Sequence, residues 1–204
     1  MKTLFQIVLI IIIGVLTWLL YDGIMIPIRF EKEKAIRYAA VIHKLKDIRT
    51  AQIAFKDQNG KFTGSFDTLI DFLKNGKMKV VKSIGQIDED LLATMTEAEA
   101  VKKKLIIRDT VLVPIADTLF KKGYCFDSLR YIPFTNGVQF KLGAGTILTG
   151  SKVKVRVFEA SALNTDILHG LNQQLIINLN DGAKFPGLRV GSLEEPNNNA
   201  GNWE

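Results

Sequence analysis

The chain has 204 residues, a formal charge of +6 and one cysteine, Cys125, which excludes an internal disulfide framework and any CxxC metal or redox site. Its two histidines, His43 and His169, stand in no metal-ligand spacing. Nine Lys or Arg against four Asp or Glu lie between Ile28 and Lys61, so that segment carries +5 while the remainder is near balance, a distribution unlike that of a nucleic-acid binder, which interleaves basic and aromatic residues over its folded domain.

The first element is "TLFQIVLIIIIGVLTWLL", Thr3 to Leu20, uncharged and interrupted only by Thr3, Gln6 and Thr17 among polar residues. Eighteen residues at helical rise span about 27 Å, close to the hydrocarbon thickness of a bilayer. Trp18 and Tyr21 fall at its end, where amphipathic rings prefer the headgroup level. The following "YDGIMIP" offers bulky Ile and Met where a signal peptidase needs small side chains, so an uncleaved single-pass anchor over 1–22 is expected. The short N-terminal overhang favours the N-terminus inside and the C-terminal domain outside the cytoplasm, although Arg29, Lys32, Lys34 and Arg37 count the other way. Basic residues so near the anchor make membrane lipid the expected partner, and no nucleic acid.

Pro27, with Gly23 before it, predicts a bend or extended link between anchor and stalk. From Ile28 the apolar period becomes helical: Tyr38, Val41, Ile42, Leu45, Ile48, Ala51 and Phe55 form one stripe. About 29 residues of such a helix are about 43 Å long. That exceeds what a small head covers, so the membrane-proximal part of the helix is expected to be exposed or to pack on another subunit, and Tyr38, Val41, Ile42, Leu45, Ile48 and Phe55 are the candidate residues for packing between subunits. Gly60, in "QNGK", is the natural left-handed residue to end this linker-and-stalk segment, 23–60.

The head, 61–204, opens with Thr63 or Ser65 capping a short helix, "FDTLIDFLKNG", whose buried edge is Phe66, Leu69, Ile70 and Leu73. Asp67 and Asp71 share a helix face without a partner base or metal ligand, which reads as a solvated surface. A polar, helix-prone stretch follows, with acids at Asp88 to Asp90 and a short helix at 96–103 begun by a Thr96/Glu99 capping box. From Leu105 the pattern predicts strands: "LIIRDTVLVPIADTLF", "RYIPF", "VQFKLGAGTIL" and "VKVRVFEAS", with Thr135 to Gly137 as a hairpin turn. The alternation in "KVKVRVF" sets Val153, Val155 and Val157 inward and Lys152, Lys154 and Arg156 outward, a candidate anion or glycan face. "GAGTILTG" lacks the following helix and Lys-Ser/Thr of a phosphate loop and is rejected as one. The end, "FPGLRVGSLEEPNNNAGNWE", reads as a loop whose penultimate Trp203 docks back on the domain. Glu194, Glu195 and Asn197 in it are a candidate calcium site, and no other cofactor is expected. The fold class expected is α+β: an N-terminal transmembrane helix, a long amphipathic helix, then a small head with a short helix and an antiparallel sheet.

The order of these elements resembles the type IV pilin and type II secretion major pseudopilin superfamily. The residues that carry the likeness are "AFKDQNGKFTGSFDTLIDFL", Ala54 to Leu73, and more weakly the closing "AGNW". The chain opens "MKTLFQIVLIII", without the glycine cleavage site or the glutamate of that pattern, so the likeness covers architecture and not prepilin processing. "LKDIRTAQIAFKD", "NGKFTGSFDTLI" and "PGLRVGSLEEPNNNAGNWE" are similar to a family of uncharacterised single-pass membrane proteins of Bacteroidota. These resemblances imply a pilin-like structural or assembly protein of the cell envelope, in the inner (cytoplasmic) membrane, acting through contacts with itself or other envelope assembly proteins. The alternative is a membrane-tethered module that binds a glycan, anion or calcium. Catalysis is not expected, because no nucleophile–base pair, metal set or cofactor loop is present in the sequence pattern.

Overall fold

The computed structural model describes residues 2–84 and 107–204. The acids at 88–90 and the helix expected at 96–103, with its capping box, lie outside them. Helix α1 runs without interruption over Lys2–Asn59, 58 residues with Pro27 inside it, and is long and apolar enough in its N-terminal part to cross a membrane. The break expected at Gly23–Pro27 is therefore not there. A proline removes one N–H and crowds the carbonyl four residues back. Here that carbonyl belongs to Gly23, which has nothing within 4 Å of where a Cβ would stand. The backbone at Gly23 is therefore free to yield to the proline ring.

Burial divides α1 in two. Leu4 to Ile28 carries exposed apolar side chains along its length, whereas Phe30 is 6% exposed. Residues 31–33, 35 and 36 are exposed, and from Tyr38 the head closes over the helix. Val41, Leu45, Ile48 and Ala51 are fully buried, and Phe55 nearly so. Their three- and four-residue spacing is the amphipathic stripe seen in the sequence. It is covered by the chain's own head, which corrects the expectation that it packs on other subunits.

Gly60 ends the helix at φ +69°, its N–H bonded to the Lys56 carbonyl at 2.7 Å, a backbone state open to glycine and strained for other residues. The loop that follows is held by Gln52, which is fully buried on α1. Its Nε2 donates to the Thr63 carbonyl at 2.6 Å, and its Oε1 accepts the Thr63 N–H at 3.1 Å. Helix α2, Phe66–Asn75, follows with Phe66, Leu69, Ile70 and Leu73 buried, as its pattern predicts. Ser65 holds the N-cap position without a side-chain hydrogen bond. Asp67 pairs with Arg130, and Asp71 accepts from Asn75 at 2.7 Å, so the two acids are surface groups with structural partners.

Strands β1, Lys77–Ile84, and β2, Ile107–Pro114, form an antiparallel ribbon in register from Lys77↔Pro114 to Ile84↔Ile107. The sequence reading had no strand at β1. It also extended β2 too far: after Pro114 the chain makes a short helix, Ile115–Leu119, with Asp117 in its first turn. "RYIPF" is not a strand either, contributing only the bridge Tyr131↔Gln139 closed by the Thr135–Gly137 turn, with Gly137 at φ +82°.

The main sheet is antiparallel with order β3-β4-β5, from β3, Lys141–Leu148, β4, Lys154–Leu163, and β5, Gly187–Gly191. Phe158 and Ala160 of β4 are fully buried, and together with the α1 stripe and α2 they form a single apolar core. Strand β5 falls in a segment expected to be loop. It lies so close to β4 that a Cβ at Gly187 or Gly191 would meet a β4 carbonyl oxygen at 2.1 Å. The apolar run near Leu175 is a helix, Gln173–Asn180, capped by Asn172 Oδ1 accepting from the Leu175 N–H at 3.2 Å. The α+β class is as expected from the sequence.

Replacing Gln52 with leucine keeps the volume but orphans the Thr63 N–H and C=O, each worth about 1–3 kcal/mol when buried without a partner. Denaturant unfolding of the detergent-solubilised chain should show Gln52→Leu less stable by about 2–4 kcal/mol. A loss under about 0.5 kcal/mol, the size of an ordinary surface substitution, would mean that the loop is anchored elsewhere.

Candidate functional site

Three side-chain networks hold the head on α1. Tyr38 donates its hydroxyl to Asn164 Oδ1, and Asn164, 3% exposed, donates onward to Asn180 Oδ1 at 2.7 Å. Burial pushes the Tyr38 hydroxyl pKa up. Tyr124 donates to Asp47 at 2.6 Å, beside Lys44, which reaches Ser128 at 2.9 Å. Burial first, then the bond to Asp47, raises the Tyr124 pKa strongly, so this phenol stays neutral. Arg37 donates to the carbonyls of Ile167 at 3.1 Å and His169 at 2.9 Å. These contacts tie the head to α1.

The C-terminal tail docks, as Trp203 suggests. Gly191 N–H bonds the Ala200 carbonyl at 3.0 Å, Asn202 N–H bonds the Arg189 carbonyl at 3.0 Å, and Val190 bridges Gly201. Arg49 of α1 closes the tail with an ion pair to Glu204 at 2.8 Å. Glu194 and Glu195 are exposed and turn their backbone N–H groups to Ser192 Oγ, at 3.2 and 3.3 Å. Asn197 donates its side-chain amide to the Ala200 carbonyl at 3.1 Å. Among the described residues no group of three or more His, Cys, Asp or Glu is gathered as a metal site; Glu194, Glu195 and Asn197 take part in the turn through the bonds just given.

The basic face resolves into separate parts. Lys152 is in the β3–β4 turn at φ +59°, not on a strand. Val153 beside it is 56% exposed and also precedes the strand, while Val157 is buried as expected. Lys154 and Arg156 do share the exposed side of β4, opposite Leu148 and Thr146 respectively. Only Arg156 lines a cavity. Loop residues Lys61, Phe62, Thr63 and Gly64, Thr68 of α2, Ala144 to Thr146 of β3 and Arg156 enclose an open cleft of about 480 Å³ where α1 ends. Arg156 Nη1 lies 3.0 Å from the point where a Cβ on Gly60 would sit, which brings the guanidinium against the end of α1. Lys56 stands nearby, its Nζ 5.0 Å from the Phe62 ring centre. Sequence alternation located Arg156; it gave no sign that loop 60–65 would fold over β3 to make a cleft.

No protein-family model, no curated protein and no solved structure matches this chain.

The hydrogen bond from Arg49 is the main cause that holds the Glu204 carboxyl below its usual range. A carboxyl with a lowered folded-state pKa contributes to tail docking above its unfolded value, and that contribution is lost as pH falls through the folded one. NMR titration should place the Glu204 side-chain pKa below that of a free glutamate, and Arg49→Met should raise it. An unchanged value in Arg49→Met would show that the pair does not hold the tail.

Proposed function

We propose that this protein is a membrane-anchored, pilin-like assembly protein of the cell envelope. The anchor, residues 1–22 of the chain, holds it in the cytoplasmic membrane with its head outside the cytoplasm, and it acts through contacts between the membrane halves of α1 in neighbouring copies or in other envelope assembly proteins. The observation that carries this reading is the face of α1 formed by Thr3, Gln6, Ile10, Gly14, Thr17 and Tyr21. At 3.6 residues per turn these six positions fall within about 80° of arc, and all are exposed in the single chain. The arc gathers every polar or small side chain of the segment 3–21. The rest of the circumference is Leu, Ile, Val, Phe and Trp, suited to lipid.

Such a face is what two helices need in a bilayer. Lipid tails are as apolar as leucine, so helices associate through close packing at small residues and through hydrogen bonds between polar ones. Gly14 has nothing within 4 Å of where its Cβ would be, leaving room for a second backbone. Thr17 already satisfies its hydroxyl on the Ile13 carbonyl at 2.8 Å, which suits a tight apolar contact. Gln6 has no such local partner among the described residues, and an amide left unpaired in hydrocarbon costs several kcal/mol. A facing Gln6 from a second copy supplies both a donor and an acceptor. The stripe from Val41 to Phe55 has no part in this, since the head consumes it.

Oxidative crosslinking in native membranes tests the reading. In a Cys125→Ser background, Ile10→Cys on the proposed face should form disulfide dimers several-fold more readily than Ile12→Cys on the opposite side. Equal yields at the two positions, or no dimer at any position from 3 to 21, would contradict it.

A further inference from the structure

The cleft at the end of α1 lies about 48 Å along the helix from Ile28, at the far tip of the head from the apolar segment. Its lining carries two cations, Lys61 and Arg156, with Lys56 close behind, and no carboxylate among the described residues. Four other arginines among the described residues are engaged. Arg49 pairs with Glu204, Arg130 with Asp67 and Arg189 with Glu159, and Arg37 is bonded to carbonyls. Arg156 forms no ion pair or hydrogen bond with a described residue, although its guanidinium is drawn against the end of α1. Cations that converge without an acid repel one another, and the arrangement becomes favourable when an anion enters.

The walls narrow the chemistry further. Gly64, Ala144 and Gly145 leave bare backbone along one side, and Thr68 and Thr146 bring hydroxyls. The Thr63 hydroxyl is already used, accepting the Ser65 N–H at 3.2 Å. Phe55 and Phe62, both nearly buried, complete the lining. At about 480 Å³ the space is far larger than a bare inorganic ion needs and falls in the range of small-molecule sites. Cations, hydroxyl-bearing side chains and apolar surface in one cleft match an oxyanion carried on a hydroxylated ring.

We propose that this cleft binds an anionic saccharide unit, its carboxylate or phosphate held by Arg156 and Lys61 and its ring lying between Thr68 and Thr146. Planar, forked Arg156 suits either oxyanion through paired N–H bonds, and Lys61 adds a mobile point charge. Position adds to the argument: a tethered head presents its outermost surface to whatever polymer lies beyond the membrane. The site is independent of the helix face through which copies are proposed to meet.

Calorimetry on the full chain in zwitterionic-lipid nanodiscs, with glucuronate, glucose 6-phosphate, glucose and inorganic phosphate as probes, tests it. Glucuronate or glucose 6-phosphate should bind at least about tenfold more tightly than either glucose or phosphate, and Arg156→Gln should remove about tenfold of that affinity, the size of one charge-assisted hydrogen bond. Lys61→Gln should weaken binding in the same direction. Lys154→Gln, two residues away on β4 but outside the cleft lining, should leave it unchanged. Three results would overturn the proposal: no binding of either charged sugar, inorganic phosphate binding as tightly as both, or an equal loss in Lys154→Gln and Arg156→Gln. Arg156, Lys61 and Lys154 are all exposed, so these variants retain the core. Crosslinking at Ile10 is unaffected by any outcome here.

Discussion

Everything in this molecule depends on one helix being shared between two environments. A 58-residue α1 is far longer than a globular domain needs, and neither half would be a useful object alone. Residues 3–21 are mostly apolar and exposed in the chain, while Val41, Leu45, Ile48, Ala51 and Phe55 of the amphipathic half are covered by it. The hydrophobic effect therefore acts differently on the two halves: the first is long and apolar enough to leave water by crossing a membrane, and the second gathers α2, β4 and the docked tail around itself. Because the helix does not break at Pro27, the head is a rigid continuation of the anchor. Its first buried side chain, Phe30, comes two residues after Ile28.

The head is small, and it closes with few parts. Gln52 replaces a hairpin's worth of backbone pairing by binding both polar groups of Thr63, which turns loop 60–65 back over the sheet. Leu45, Ile48, Leu69, Leu73 and Phe158 are fully buried in one shared core. Cutting any such side chain to alanine typically costs about 2–5 kcal/mol. At the other edge β5 is admitted only because Gly187 and Gly191 have no side chains to strike β4. The tail then adds its own hydrogen bonds to β5 and one ion pair to α1. The same loop that Gln52 holds forms one wall of the basic cleft, so the packing of the core and the shape of the tip are one problem.

Much of this was legible in the residues. Length and hydropathy marked the anchor, the spacing of Val41, Leu45 and Ile48 marked the buried face, and Gly60 marked the stop. The alternation around Val155 and Val157 located β4. The failures share a cause, which is tertiary context. Pro27 reads as a break by local rules, yet a glycine four residues earlier leaves room for the clash to be absorbed. β5 has only five residues, with a glycine at each end, and reads as loop until β4 offers it a ladder. The short helix after Pro114 looked like more strand because apolar residues in a run of five carry no clear period. The stripe Tyr38 to Phe55 was assigned correctly as apolar and wrongly as a contact between subunits, since sequence cannot say whose surface covers it. For the cleft, strand alternation pointed to Arg156, but Lys61, Thr68 and Thr146 come from three other segments with no shared pattern.

The account stands or falls on the continuity of α1 through Pro27. Spin labels at Leu16→Cys and His43→Cys, in a Cys125→Ser chain reconstituted in nanodiscs, are separated by 27 residues of helix, or about 40 Å of rise. Pulsed dipolar spectroscopy should return a narrow distribution centred near about 40 Å. A broad distribution with its weight well below that distance would mean that the helix bends or frays at Pro27, and that the head is tethered to the membrane segment and not built on it.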